Sequence, residues 1–332
     1  MGTLLNAAST RAAGRDGATP DRILAAIGGV VPEVAVKRVL RWIGYVLIAV
    51  VAVAAVGAVI VVVSSNREVD AHVAPLAPPT VLGQASVERG RHIFTAVSSC
   101  VVCHGSDGGG SPFLTDAAMA VLSAPNLTTG PGGVGVAYGD ADFDRAIRRG
   151  VRPDGTRLII MPSWAYAAFS DDDAASVIAY IRSLAPVDRV TPRVKLGPIG
   201  RMLVATHRLP MDATRLIDEG LPPSPPPAGV GSEYGQYLAR VSGCMGCHGT
   251  HLSGGHLLGS PDDPPASNIT PAGIGAWSLA DFTRTMRTGK DPAGHELNPF
   301  MPWRTTGQMT DDELAALYTY LKSVPPRPSG QG

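Results

Sequence analysis

All four cysteines of this chain fall into two Cys-x-x-Cys-His strings, Cys100-Val101-Val102-Cys103-His104 and Cys244-Met245-Gly246-Cys247-His248, and none is left over. Two thiols three positions apart on a helical turn reach the two vinyl groups of one porphyrin, while the adjacent imidazole turns onto the iron. The spacing therefore predicts covalent haem attachment at Cys100, Cys103, Cys244 and Cys247, with His104 and His248 as iron ligands. Three other uses of paired cysteines compete. A four-cysteine zinc site needs both pairs to converge, yet they lie far apart in strings that each look complete. A thioredoxin-type dithiol needs a β-α-β setting and has no use for the histidine. A disulfide explains the cysteines but not the histidines.

The strings are the centre of a longer repeat, offset by 144 between Cys100 and Cys244. Ala124-Pro125-Asn126-Leu127-Thr128 answers Ala266-Ser267-Asn268-Ile269-Thr270; Tyr138 and Phe143 answer Trp277 and Phe282; Arg145, Arg148 and Gly150 answer Arg284, Arg287 and Gly289. Further on, Met161-Pro162-Ser163-Trp164 answers Met301-Pro302-Trp303, and a capping residue follows each methionine by nine positions, Ser170 and Thr310. Each copy then predicts a short amphipathic helix: one begins at Ser170 with three aspartates in its first turn, the other at Thr310-Asp311-Asp312-Glu313, a capping box. Upstream of each cysteine pair, Gly90 and Gly235 lie in helical stretches, where glycine costs about 1 kcal/mol against alanine; close helix crossing is one compensation, and indifferent surface glycines are the competing reading.

A haem that only passes electrons wants a second axial ligand, and a soft thioether opposite histidine raises its potential. A lone methionine is usually a core gap-filler, but Met161 and Met301 recur at the same place in both copies, which selects them as the distal ligands. Met119, Met245, Met286 and Met309 have no counterpart, nor do His92, His207, His251, His256 and His295, which read as surface or incidental positions. The pairs Tyr138/Trp277 and Arg148/Arg287, and with less weight Asn126/Asn268, are candidates to bond or neutralise haem propionates. Helix capping and loop closure are the competing explanation.

From Trp42 to Val63 the chain carries no charge for 22 residues, enough to cross the roughly 30 Å hydrocarbon core as a helix. Lys37, Arg38 and Arg41 crowd its N-terminal flank, which predicts a cytoplasmic N-terminus and everything after Val63 outside the cytoplasmic membrane. An uncleaved anchor is expected, since a signal peptide's apolar region is shorter. The organisation that follows is a cytoplasmic tail at 1–41, with a short surface helix or a mobile tail over 20–36; the membrane anchor at 42–63; a linker at 64–85; the first haem domain at 86–190; an interdomain segment at 191–230; and the second haem domain at 231–327. That interdomain segment contains the stiff spacer Leu221-Pro222-Pro223-Ser224-Pro225-Pro226-Pro227 and an apolar stretch, 193–209, that should pack against the domains. Terminal helices and few strands give an all-α fold. Equal numbers of basic and acidic residues, 28 each, leave no global field for nucleic acid.

The strings Asn268-Ile269-Thr270-Pro271, Gly273-Ile274-Gly275-Ala276-Trp277-Ser278 and Pro299-Phe300-Met301-Pro302-Trp303 resemble the c-type cytochrome subunits of membrane-bound alcohol, gluconate and aldehyde dehydrogenases, over about 86–327. The resemblance implies two tandem cytochrome c-like domains with two covalently bound haem c groups, His/Met ligation by His104, Met161, His248 and Met301, and no substrate chemistry of their own. It also implies electron donor and acceptor partners in a membrane chain. Those subunits commonly carry three haem modules and a C-terminal anchor, whereas this chain has two modules and one N-terminal span. That layout is similar to the dihaem subunit of haem-copper oxidases, the alternative setting for a relay. A dihaem peroxidase is a weaker alternative, because it needs one open iron position.

Overall fold

The computed structural model describes residues 33–73, 83–206, 228–255 and 265–330. The expected helix or tail over 20–36 falls largely outside these residues, as do the Pro-rich run 221–227, His207 and His256. The chain divides into two compact units, Met1–Val59 and Ile60–Gly332.

Helix α1 spans Glu33–Val69 and contains the whole uncharged run. Its apolar side chains are exposed all round, Trp42 at 65% and Val53 at 72% among them. A helix that is apolar on every face and covered by nothing suits hydrocarbon, not water, so α1 is a candidate membrane anchor.

The second unit is predominantly helical. Repeat one comprises α2 (Val87–His92), a π-turn (Ile93–Val97), α3 (Val101–His104), strands β1 (Pro112–Asp116) and β2 (Ala120–Ser123), α4 (Asp140–Arg149), α5 (Ser163–Tyr166) and α6 (Asp171–Ser183). After β3 (Lys195–Leu196) and α7 (Pro198–Ala205), repeat two comprises α8 (Ser232–Val241), α9 (Cys244–His248), α10 (Pro271–Ile274), α11 (Leu279–Thr288), α12 (Trp303–Thr306) and α13 (Asp311–Ser323).

In each repeat the first helix crosses the last. The crossing is close because of the two glycines noted in the sequence: a Cβ on Gly90 would lie 1.8 Å from the Ser176 carbonyl oxygen, and one on Gly235 would lie 2.0 Å from that of Ala316. The last helices begin where their caps predict, with Ser170 accepting from the Asp173 amide and Thr310 from that of Glu313. Between Gly90 and Cys100 repeat one has one residue more than repeat two has between Gly235 and Cys244. The π-turn absorbs it, as an inserted residue in a helix does.

A small antiparallel sheet, ordered β1-β2-β3, is the departure from all-helical structure. Asp116 makes its first turn by accepting from the amides of Ala118 and Met119, each at 2.8 Å. The third strand and α7 come from the apolar interdomain stretch, which packs down as expected: a Cβ on Gly200 would meet the Met119 carbonyl at 2.1 Å, and Val204 is buried. From α7, Arg201 donates to Ser65 Oγ at 3.0 Å and Asn66 Oδ1 at 2.7 Å.

The two repeats share one continuous apolar core, running from Ile93, Phe94 and Phe169 in the first to Leu238, Met309 and Leu314 in the second. At their boundary lies a buried polar network. Arg89 donates through Nε and Nη2 to Asp173, at 3.0 and 3.1 Å, and through Nη1 to Glu313 Oε1 at 3.0 Å. His92 Nε2 donates to Glu313 Oε2 at 2.7 Å, and Tyr237 donates to Asp173 Oδ2 at 2.5 Å. Read as a surface position in the sequence, His92 is thus a partner of a carboxylate in the other repeat. Burial pushes Glu313 up, but the His92 ring, the Thr310 amide and Arg89 together outweigh it and hold the carboxyl at about 2.

Candidate haem centres

Each Cys-x-x-Cys-His string forms one helical turn, α3 or α9, ended by a glycine that only a residue without Cβ adopts readily: Gly105 at φ 74° and Gly249 at φ 77°. The loops that follow are built alike. Gly110 N–H donates to the His104 carbonyl and Gly254 N–H to that of His248, both at 2.9 Å. Leu127 N–H donates to the Gly108 carbonyl at 2.8 Å, and Ile269 N–H to that of Leu252 at 2.9 Å. At this last position repeat two keeps the left-handed backbone, φ 60°, although its residue is leucine.

These loops fix the imidazoles. His104 Nδ1 lies 3.1 Å from the Pro125 carbonyl and His248 Nδ1 lies 2.7 Å from that of Ser267. A carbonyl only accepts, so Nδ1 carries the proton and Nε2 keeps its lone pair for a metal. Burial pushes both imidazoles below their ordinary range, which favours this neutral form.

All four thiols are free. Burial pushes Cys100 and Cys244 up to about 12 and raises Cys103 and Cys247 as well. Dithiol exchange proceeds through a thiolate, which this environment disfavours. Among the described residues no three or more His, Cys, Asp or Glu side chains come together as a metal-binding group. The two cysteine pairs are thus not gathered into one four-cysteine site among the described residues.

Met161 and Met301 begin equivalent turns, with their carbonyls accepting from Ser163 N–H and Trp303 N–H, both at 2.8 Å. Both side chains are partly covered and pack on the same apolar core as Cys100 and Cys244. Leu127, Tyr138 and Ile269, Trp277 extend this half-covered apolar surface in the two repeats. Paired thiols, a histidine presenting Nε2, a thioether and an apolar wall are the donor set and surface that a covalently bound haem requires. The site residues fit that group.

The remaining candidates have partners in the protein. Arg148 donates to Asp144 at 2.6 Å and Asp171 at 2.7 Å. Arg287 donates to the Gly307 carbonyl and, at 2.8 Å, to Asp311. Both arginines thus clamp the start of the last helix. Asn126 Oδ1 accepts from Thr128 N–H and Oγ1 while its amide group donates to the carbonyls of Val187 and Arg189. Asn268 does the same with Thr270, the Arg327 carbonyl and Ser329 Oγ. The asparagines pin each repeat's C-terminal tail onto its loop, the closure role that competed with a propionate role in the sequence. The Tyr138 ring lies tilted against that of Phe143, centroids 5.4 Å apart, and the Trp277 carbonyl accepts from Tyr318 at 2.8 Å.

The two tryptophans are not equivalent. Trp303 occupies the place of Ser163 and lies on Gly289 of its own repeat, where a Cβ would meet the ring at 2.4 Å. Trp164 is one position later and faces the other repeat.

Residues 87–185 and 232–325 match the sequence profile of the cytochrome c family. The chain is 30% identical over 278 residues to the cytochrome subunit of fructose dehydrogenase from Gluconobacter japonicus, covering 76% of this chain and 56% of that protein. It is 27% identical over 279 residues to the cytochrome c subunit of a quinone-dependent alcohol dehydrogenase from Gluconacetobacter polyoxogenes, covering 75% and 58%. Against a dihaem c-type cytochrome from Cereibacter sphaeroides it is 30% identical over 272 residues, covering 73% and 86%. The chain thus spans a little over half the length of the two dehydrogenase subunits.

Proposed function

The chain belongs to the cytochrome c family, and from that premise we propose that it is a membrane-anchored dihaem relay that moves electrons between partner proteins and transforms no substrate. The observation that carries this reading is the duplicated centre: the same loop hydrogen bonds, the same imidazole orientation and the same methionine turn in both repeats. Bound haem supplies a one-electron iron couple at each centre. Cys100 and Cys103 in one repeat, and Cys244 and Cys247 in the other, would hold it as thioethers. His104 and His248 would ligate through Nε2, while their Nδ1–H bonds to backbone carbonyls keep the rings from turning. Met161 and Met301 would supply the second donor in each repeat, leaving no open position of the kind that peroxide chemistry needs.

The relatives' names favour a dehydrogenase catalytic subunit as electron donor over the oxidase setting. With Lys37, Arg38 and Arg41 on the cytoplasmic side of α1, the haem repeats stand outside the cytoplasmic membrane. The test is the denatured mass of the purified chain together with its reaction with carbon monoxide. The expected result is the polypeptide plus two haems that acidified solvent does not extract, and a reduced protein that binds carbon monoxide poorly. A mass lacking the two increments, or ready carbon monoxide binding at neutral pH, overturns the reading.

A further inference from the structure

The repeats are related by an approximate two-fold arrangement, in which each one's turn after the methionine meets the other's segment before the cysteines. Ser99 and Thr305 share a hydrogen bond of 2.6 Å, and at the equivalent place a Cβ on Gly243 would lie 4.0 Å from that of Ala165. One residue earlier in each turn the symmetry breaks. Arg304 lies over the Trp303 ring at 4.3 Å, and Val102, which it would otherwise meet, is 56% exposed. Trp164 instead reaches across the boundary. A Cβ on Gly246 would stand only 2.8 Å from Trp164 Cζ2 and 2.9 Å from Cη2, so the edge of the indole rests on the backbone between Cys244 and Cys247.

That contact joins the distal-ligand turn of the first centre to the attachment loop of the second through one aromatic ring. Electronic coupling falls more steeply across gaps than through bonded and packed atoms, and glycine at 246 lets the ring approach with no side chain between. We propose that Trp164 is a positioning residue for electron transfer between the two centres, its indole carrying the coupling from Met161 to the Cys244/Cys247 loop. The inference rests on the reading of both centres as haem c. In the step, one electron leaves the ferrous iron of one repeat and reduces the ferric iron of the other. No bond forms or breaks, no proton moves, and the indole is the same before and after.

The test uses the full chain in detergent, half-reduced by a radiolytic pulse, with relaxation between the centres followed by absorbance. Trp164→Leu should slow that relaxation by about tenfold, while Trp164→Phe, which keeps an aromatic ring, should restore most of it. Gly246→Ala, which displaces the indole, should slow it with Trp164 intact. Both midpoint potentials and the two-haem mass should stay at their wild-type values in all three. Wild-type relaxation in Trp164→Leu with both haems attached overturns the proposal, as does a Trp164→Phe as slow as Trp164→Leu. A wild-type chain without two haems overturns the reading beneath it, a separate result from either.

Discussion

Replacing Glu313 by glutamine removes the one carboxylate of repeat two that binds Arg89 and His92 of repeat one. Its side chain is 6% exposed, so solvent screens these contacts little. A carboxyl held at about 2 against an ordinary 4.5 stabilises the fold by about 3 kcal/mol at neutral pH, at about 1.4 kcal/mol for each tenfold change in proton affinity. Breaking one partner of a buried charged network costs a similar amount, about 3–5 kcal/mol. Because the folded value is depressed, this stability is fully present above pH 4.5 and is lost as pH falls through about 2. Urea titrations of wild type and Glu313→Gln, followed by haem absorbance, should therefore differ by about 3 kcal/mol at pH 7, the gap closing as pH falls towards 2. A difference below about 0.5 kcal/mol at pH 7, the size of an ordinary surface change, would refute the reasoning. A gap that does not narrow with acid would refute its electrostatic part.

Gly235→Ala should destabilise the chain by about 1–3 kcal/mol despite alanine's better helix propensity, because the added methyl meets the Ala316 carbonyl; a urea midpoint at or above wild type would remove that clash from the account. Met301→His should lower one midpoint potential and leave the other in place, read by spectroelectrochemical titration. If both Met161→Leu and Met301→Leu keep the red charge-transfer absorption of the ferric protein, the thioethers are not the ligands. Protease added to intact spheroplasts should release a soluble fragment carrying both haems, and protection of that fragment would reverse the proposed orientation.

The Cys-x-x-Cys-His turns and the methionine turns were legible in the sequence because they are written in short strings and written twice. The same holds for the caps Ser170 and Thr310, which act through local backbone geometry, and for Gly90 and Gly235, which stand out as glycines inside helices although their role is a contact with a distant helix. What lies between the repeats was not legible. Arg89 and His92 correspond in position to Tyr234 and Tyr237 at an offset of 145, not 144, and the residue types differ because each pair faces carboxylates across a boundary that no local pattern encodes. That extra residue was the available signal for the π-turn. Trp164 and Trp303 look alike by proximity to methionine, yet a shift of one position on a helical turn sends one ring inward and the other across. The sheet has no comparable signal, because its strands are short and its third strand comes from the interdomain stretch.

Because the repeats share a core and a buried network, the separation of the two centres is a property of packing and not of the polypeptide that connects them. A single methyl group at that shared boundary is therefore not neutral: it acts on the spacing of the two sites as directly as it acts on stability.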